Sequence, residues 1–127
     1  MNKLKLTMLA ATAALALSGC QTLDASKLHT NASPQTIAEA KKDLSGIDDL
    51  KVLDNGVIYY YIKKPSEANW DRVWVNAASY RIACKYLKVF VDRGMTVRMY
   101  YQGEAAHDYN AERCQTEVPT NYLANVK

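Results

Sequence analysis

The chain opens with a short basic lead, Met1-Asn2-Lys3-Leu4-Lys5, followed by an almost unbroken apolar run from Leu6 to Leu17. Its 12 residues would make about 18 Å of helix, short of the ~30 Å hydrocarbon core of a bilayer. From Gln21 to Ala32 the pattern turns polar and small, with Leu23 and Leu28 isolated, and reads as a linker. Ser33-Pro34 then marks a helix start, with serine at the N-cap and proline at the first helical position. The apolar side of this helix is thin: Ile37, Ala40 and Leu44, with Ala38 alongside. It is expected to stop at Ser45-Gly46, with glycine as a left-handed cap.

Alternation takes over from Leu50. Leu50 to Leu53, the turn Asp54-Asn55-Gly56 and Val57 to Lys63 read as a β-hairpin, and Asn-Gly favours a type I′ turn. In the second strand Val57, Tyr59 and Tyr61 point one way, and Ile58, Tyr60 and Ile62 the other. Both sides are apolar, so either both are covered within the domain or one is left for a partner. After Lys63-Lys64-Pro65, Ser66 or Asn69 is expected to cap a second helix. There Val73, Ala77, Tyr80, Cys84, Leu87 and Val91 follow spacings of 4, 3, 4, 3 and 4, the strongest helical signal in the chain. Met95 to Gln102 reads as a strand, Gly103 to His107 as a turn and Asp108 to Cys114 as a last strand. The tail after Pro119 is polar. The fold class expected is α+β: a two-layer sandwich with an antiparallel sheet of about four strands, two helices on one face and one disulfide. Local pattern leaves the strand order open.

The junction Leu17-Ser18-Gly19-Cys20 gives the apolar lead a specific meaning. Leucine at −3, small residues at −2 and −1 and cysteine at +1 resemble the lipobox of bacterial lipoproteins. Residues 1–19 are then a cleaved signal peptide, Cys20 carries acyl chains such as palmitate, residues 20–32 form the lipidated N-terminus and linker, and residues 33–127 form a single α/β domain. Two or more acyl chains hold a protein stably on a bilayer where one does so only marginally. Gln21 after the cysteine resembles lipoproteins sorted to the outer membrane, which implies a lipid-anchored, periplasm-facing protein.

Cleavage leaves 108 of the 127 residues, one domain in size, with 14 basic side chains against 13 acidic. A near-neutral domain gives no electrostatic case for nucleic acid or anionic lipid. Nine tyrosines against one phenylalanine is a skewed aromatic set suited to half-wet positions. With Cys20 acylated, Cys84 and Cys114 would meet an oxidising compartment and are expected to pair. No ligand spacing surrounds either, so no metal or cofactor is expected. His29 and His107 read as solvated side chains, one in the linker and one in a turn. No HExxH, GxSxG, phosphate loop or CxxC occurs; neither an enzyme nor a small-molecule substrate is expected.

The second half resembles a known family. Ser79-Tyr80, Cys84 four residues later, Lys88-Val89-Phe90-Val91-Asp92-Arg93-Gly94, a strand, and Arg113 before Cys114 are similar to the β-class pilotins of the type II secretion system. The likeness covers roughly residues 70 to 114 and weakens before residue 66; the stretch between Cys84 and Lys88 is shorter than the family pattern. The resemblance implies an α/β lipoprotein with a helix cysteine bonded to one near the C-terminus. It implies binding of the C-terminal segment of a secretin and its escort to the outer membrane, with no bond made or broken. Strand alternation suggests Ile58, Tyr60, Ile62 and Tyr100 as the partner-binding set. The alternative is another periplasm-facing binding lipoprotein, an accessory of an envelope machine or an enzyme inhibitor. A small β-barrel inhibitor would want about eight strands where four are read, and no Asp/Arg/Asn cluster suggests peptidoglycan binding.

Overall fold

In the computed structural model, residues 23–65 and 69–119 are described. Cys20 and the signal segment, the candidate cap Ser66 and the end of the tail lie outside the described residues. The order is a 3-10 turn (Ala25–Lys27), α1 (Pro34–Asp43), β1 (Leu50–Val52), β2 (Val57–Ile62), α2 (Arg72–Arg81), a π-helical turn (Ile82–Tyr86), α3 (Lys88–Val91), β3 (Thr96–Tyr101), β4 (His107–Tyr109) and α4 (Ala111–Thr116).

The α1 start is the one expected: Ser33 accepts from the amide of Thr36, and Pro34 leads the helix. Its end differs. Leu44 closes it through a bond to the Ala40 carbonyl, and the left-handed residue that follows is Asp49 (φ 63), not Gly46. The hairpin also forms, but with a three-residue loop instead of a two-residue type I′ turn. Leu53 N donates to Val57 O at 2.8 Å and Gly56 N to Leu53 O at 3.1 Å. Gly56 alone takes positive φ (91°) within the loop, which fits a type I turn closed by a glycine bulge.

Among the described residues the sheet has four strands in sequence order, β1-β2-β3-β4. It is mixed, not antiparallel throughout. β1 and β3 pair antiparallel with β2 and β4 respectively, while the central pair β2 and β3 runs parallel, Val57 opposite Thr96 through Ile62 opposite Tyr101. The chain leaves the far end of β2 and returns through a helix to the near end, and a crossover of that length joins parallel strands.

Both long helical segments and the disulfide lie on one side of this sheet. Ala40 and Leu44 of α1 join Val75, Tyr80, Ala83, Leu87, Phe90 and Val91 of the crossover over a floor of Ile58, Val97, Met99 and Tyr101. The crossover is not one straight helix. Asp71 caps α2, accepting from Val73 N and Trp74 N, and Leu87 N reaches back to Ile82 O at 2.9 Å through the π turn. The predicted stripe is buried from Ala77 onward, but Val73 at its head is 59% exposed, and Val75 takes the inward position.

Cys84 and Cys114 are bonded, with Cα atoms 5.4 Å apart. The last strand is shorter than expected. Asn110 accepts from Arg113 N and starts α4, so Cys114 sits on a helix and staples α4 to the π turn. Arg113 stacks over the Tyr109 ring at 4.3 Å and donates to the Asp108 carbonyl at 2.5 Å, holding that corner.

The stretch read as a linker is part of the domain over its described length. Asn55 Nδ2 donates to the carbonyls of Ala25 and Leu28, each at 2.9 Å, and Thr30 donates to the Asn55 carbonyl. Asn31 N bonds Gly94 O at 3.2 Å. A polar arm stays free only while its backbone groups have no partner but water, and here the Asn55 side chain and the Gly94 carbonyl supply one.

Candidate partner-binding surface

Strand parity sorts the sheet into two faces. Leu50, Val52, Ile58, Tyr60, Ile62, Val97, Met99, Tyr101, His107 and Tyr109 share the helix side. Lys51, Val57, Tyr59, Tyr61, Thr96, Arg98, Tyr100 and Asp108 share the other. The four residues read as a partner face therefore do not form one surface. Ile58 is fully buried in the core, Tyr60 and Ile62 are half-buried beside it, and Tyr100 projects from the opposite side. The error lies in the register between β2 and β3. Tyr100 pairs with Tyr61, not with an isoleucine, and nothing local in either strand announces that pairing.

At the far end of the helix side stands an aromatic cluster. Tyr101 is fully buried, and the buried Ser79 hydroxyl donates to its phenol oxygen at 3.0 Å. Burial pushes the Tyr101 phenol up, opposed by that bond. Trp70 packs edge-on to Tyr101 at 5.2 Å and its Nε1 donates to the Gln102 carbonyl at 2.8 Å. Trp74 lies parallel to Trp70 at 6.0 Å, one helical turn on, and also meets the Tyr101 ring. Trp70 is thus fixed while Trp74 is half exposed, at 50%, with Val73 exposed next to it.

A hollow of about 320 Å³ adjoins the cluster, lined by Trp70, Arg72, Val75, Asn76, Glu104 and His107 among others. His107 is not a wet turn residue. It begins β4, half-buried, with its ring 6.5 Å from that of Tyr101. Burial, with Arg113 adding to it, lowers its pKa below the ordinary 6.5. The hollow thus offers an apolar wall, one cation, one acid and a neutral imidazole, a mixture suited to holding a peptide edge. Among the described residues no group of three or more His, Cys, Asp and Glu could hold a metal ion. Neither the tryptophan pair nor the hollow was singled out from sequence as a binding site. The i, i+4 spacing of Trp70 and Trp74 was visible, but it reads equally as core.

The opposite face carries a second aromatic set. Tyr100 stacks with Tyr61 at 5.5 Å and with Tyr59 at 6.3 Å. Beside them Arg98, its side chain only 6% exposed, forms a two-pronged pair with Asp108 at 2.7 and 2.9 Å and donates to Leu23 O at 2.7 Å. The pair to Asp108 raises the Arg98 pKa further, so the guanidinium is a fixed cation. Tyr59, Arg98, Tyr100, Leu23 and Glu104 border an open hollow of about 500 Å³.

The class these features define, over the described residues, is a disulfide-stapled α+β domain with a four-stranded mixed sheet, four helices and an aromatic surface on each face. No protein-family model, no curated protein and no solved structure matches the chain.

Proposed function

We propose that this chain is a lipid-anchored pilotin of the outer membrane, one that binds the C-terminal segment of a type II secretion secretin and escorts it there. The observation that carries the reading is the half-exposed Trp74 with Val73, mounted on the fixed Trp70–Tyr101 pair. An exposed indole on a rigid base is the usual anchor of a protein–protein contact, because it buries a large area at small cost in side-chain entropy. An amphipathic helix laid along α2 would cover Trp74 and Val73 with its apolar side and set a polar flank against Arg72 and Glu104. The stapled cysteines and the α+β fold agree with what the resemblance implies.

Binding at this surface needs no chemical step. The domain would hold the segment while acyl chains on Cys20 fix the complex to the membrane. The test is capture from detergent-solubilised envelopes with the acylated protein as bait, followed by mass spectrometry. A secretin retained by the native protein and lost with Trp74→Ala supports the reading. Recovery of a hydrolase or of cell-wall material without a secretin would end it in favour of another binding lipoprotein.

A further inference from the structure

The amino-terminal arm is tied to the domain from its first described residue. Arg98 holds Leu23 O, Asn55 holds Ala25 O and Leu28 O, and Asn31 pairs with Gly94. Two glycines permit this closeness. A Cβ on Gly94, already at φ 101°, would stand 2.7 Å from the Asn31 carbonyl carbon, and one on Gly56 would collide with the Thr30 hydroxyl. The arm also covers part of the sheet: Ala25 is buried, and Val57 and Arg98 are shielded on the side away from the helices.

This fixes the place of the lipid, if Cys20 is acylated as proposed above. Only Gln21 and Thr22 separate Cys20 from Leu23. Three residue steps span at most about 11 Å. A free arm of a dozen residues would reach ~40 Å and let any side of the domain meet the bilayer, since a domain of this size has a radius of gyration of only ~13 Å. The short lead does not. It starts from Leu23, at the rim of the hollow that Tyr59 and Tyr100 border.

We propose that the sheet face bearing Tyr59, Tyr61 and Tyr100, with Leu23 at its edge, lies against the headgroup layer of a phospholipid bilayer, the arm acting as a strap that holds it there. The chemistry of the face suits that occupant. Tyrosines settle at the membrane–water interface, ring toward the acyl chains and hydroxyl toward water. Leu23 is 57% exposed at the edge nearest the anchor. The buried cation Arg98 is matched by Asp108, so no unpaired guanidinium has to be pressed against lipid. Trp74, half exposed, belongs to the helix side and points away from this face.

The experiment is paramagnetic relaxation of the acylated, isotope-labelled protein on phosphatidylethanolamine–phosphatidylglycerol nanodiscs carrying a gadolinium-chelate lipid. Amides of Leu23, Tyr59, Tyr61 and Tyr100 should relax several-fold faster than those of Val73, Trp74 and Val89. A Gly/Ser insert of about ten residues between Thr22 and Leu23, a flexible coil of ~17 Å, leaves the docked arm intact and should bring the two sets close together. Equal relaxation of Tyr61 and Trp74 in the native protein overturns the apposition, and an unchanged pattern after insertion overturns the strap; both leave the partner reading standing. A mass spectrum without acyl chains on Cys20 overturns the strap together with the lipoprotein reading. Failure to capture a secretin leaves the relaxation pattern untouched.

Discussion

At the residue scale, buried polar groups decide how firmly the two aromatic surfaces are held. Ser79 and Tyr101 are both fully buried and satisfy each other. Removing one partner strands the other, so Ser79→Ala and Tyr101→Phe should each cost about 1–3 kcal/mol in urea unfolding. The double variant should cost clearly less than their sum, because no orphaned hydroxyl remains. Additive losses would mean that the bond does not matter. His107 makes the aromatic end sensitive to acid. Its folded pKa is depressed by burial and by Arg113, so the unfolded chain takes up a proton first. Stability is therefore full above about pH 6.5, the unfolded value, and falls as pH drops through the depressed folded pKa. Midpoints of unfolding measured from pH 7.5 down to 5 should decline, and His107→Asn should flatten the decline. The hydrogen-bonded carboxylates Asp24, Glu39 and Asp54 are also depressed, from ordinary values already below that window.

At the element scale the disulfide is the main staple. Cys84 and Cys114 are 30 residues apart. Closing a loop of that length stabilises by about 3.6 kcal/mol in the chain-entropy model. Reduction, or Cys84→Ser with Cys114→Ser, should lower the unfolding free energy by about that amount, with α4 amides losing exchange protection before those of β2 and β3. Equal protection in both forms would contradict the staple. The pairing could be read from the sequence, as could the Ser33 cap, the hairpin and the inward stripe from Ala77 to Val91, since each depends on neighbours within one element or on composition. The parallel central pair, the Tyr61–Tyr100 partnership and the docked arm could not. They join residues some 25 to 75 positions apart, and alternation within a strand says nothing about which strand it meets. The candidate site shares that limit. Trp70 and Trp74 stand out in the sequence, but the exposure of one and the burial beside the other follow from where α2 lands on Tyr101.

At the scale of the whole molecule the two proposed roles fall on opposite sides of the sheet. One side of the sheet carries the arm and the tyrosines; the other carries the helices, the tryptophan pair and its hollow. On the proposed reading, a carrier held flat on a membrane by one face would keep the other clear for cargo. Truncating Trp74 should therefore weaken cargo binding with little loss of stability, while Ile58→Ala should destabilise by about 2–5 kcal/mol, as a buried core residue does. The most direct measurement is a nuclear magnetic resonance titration of the labelled protein with a peptide from the C-terminal segment of a secretin. The account predicts saturable shifts centred on the Trp70 and Trp74 indoles, Val73 and His107, and an affinity at least about tenfold weaker for Trp74→Ala, as for an interface hot spot. Absence of saturable shifts, or shifts confined to Tyr59, Tyr61 and Tyr100, would contradict it.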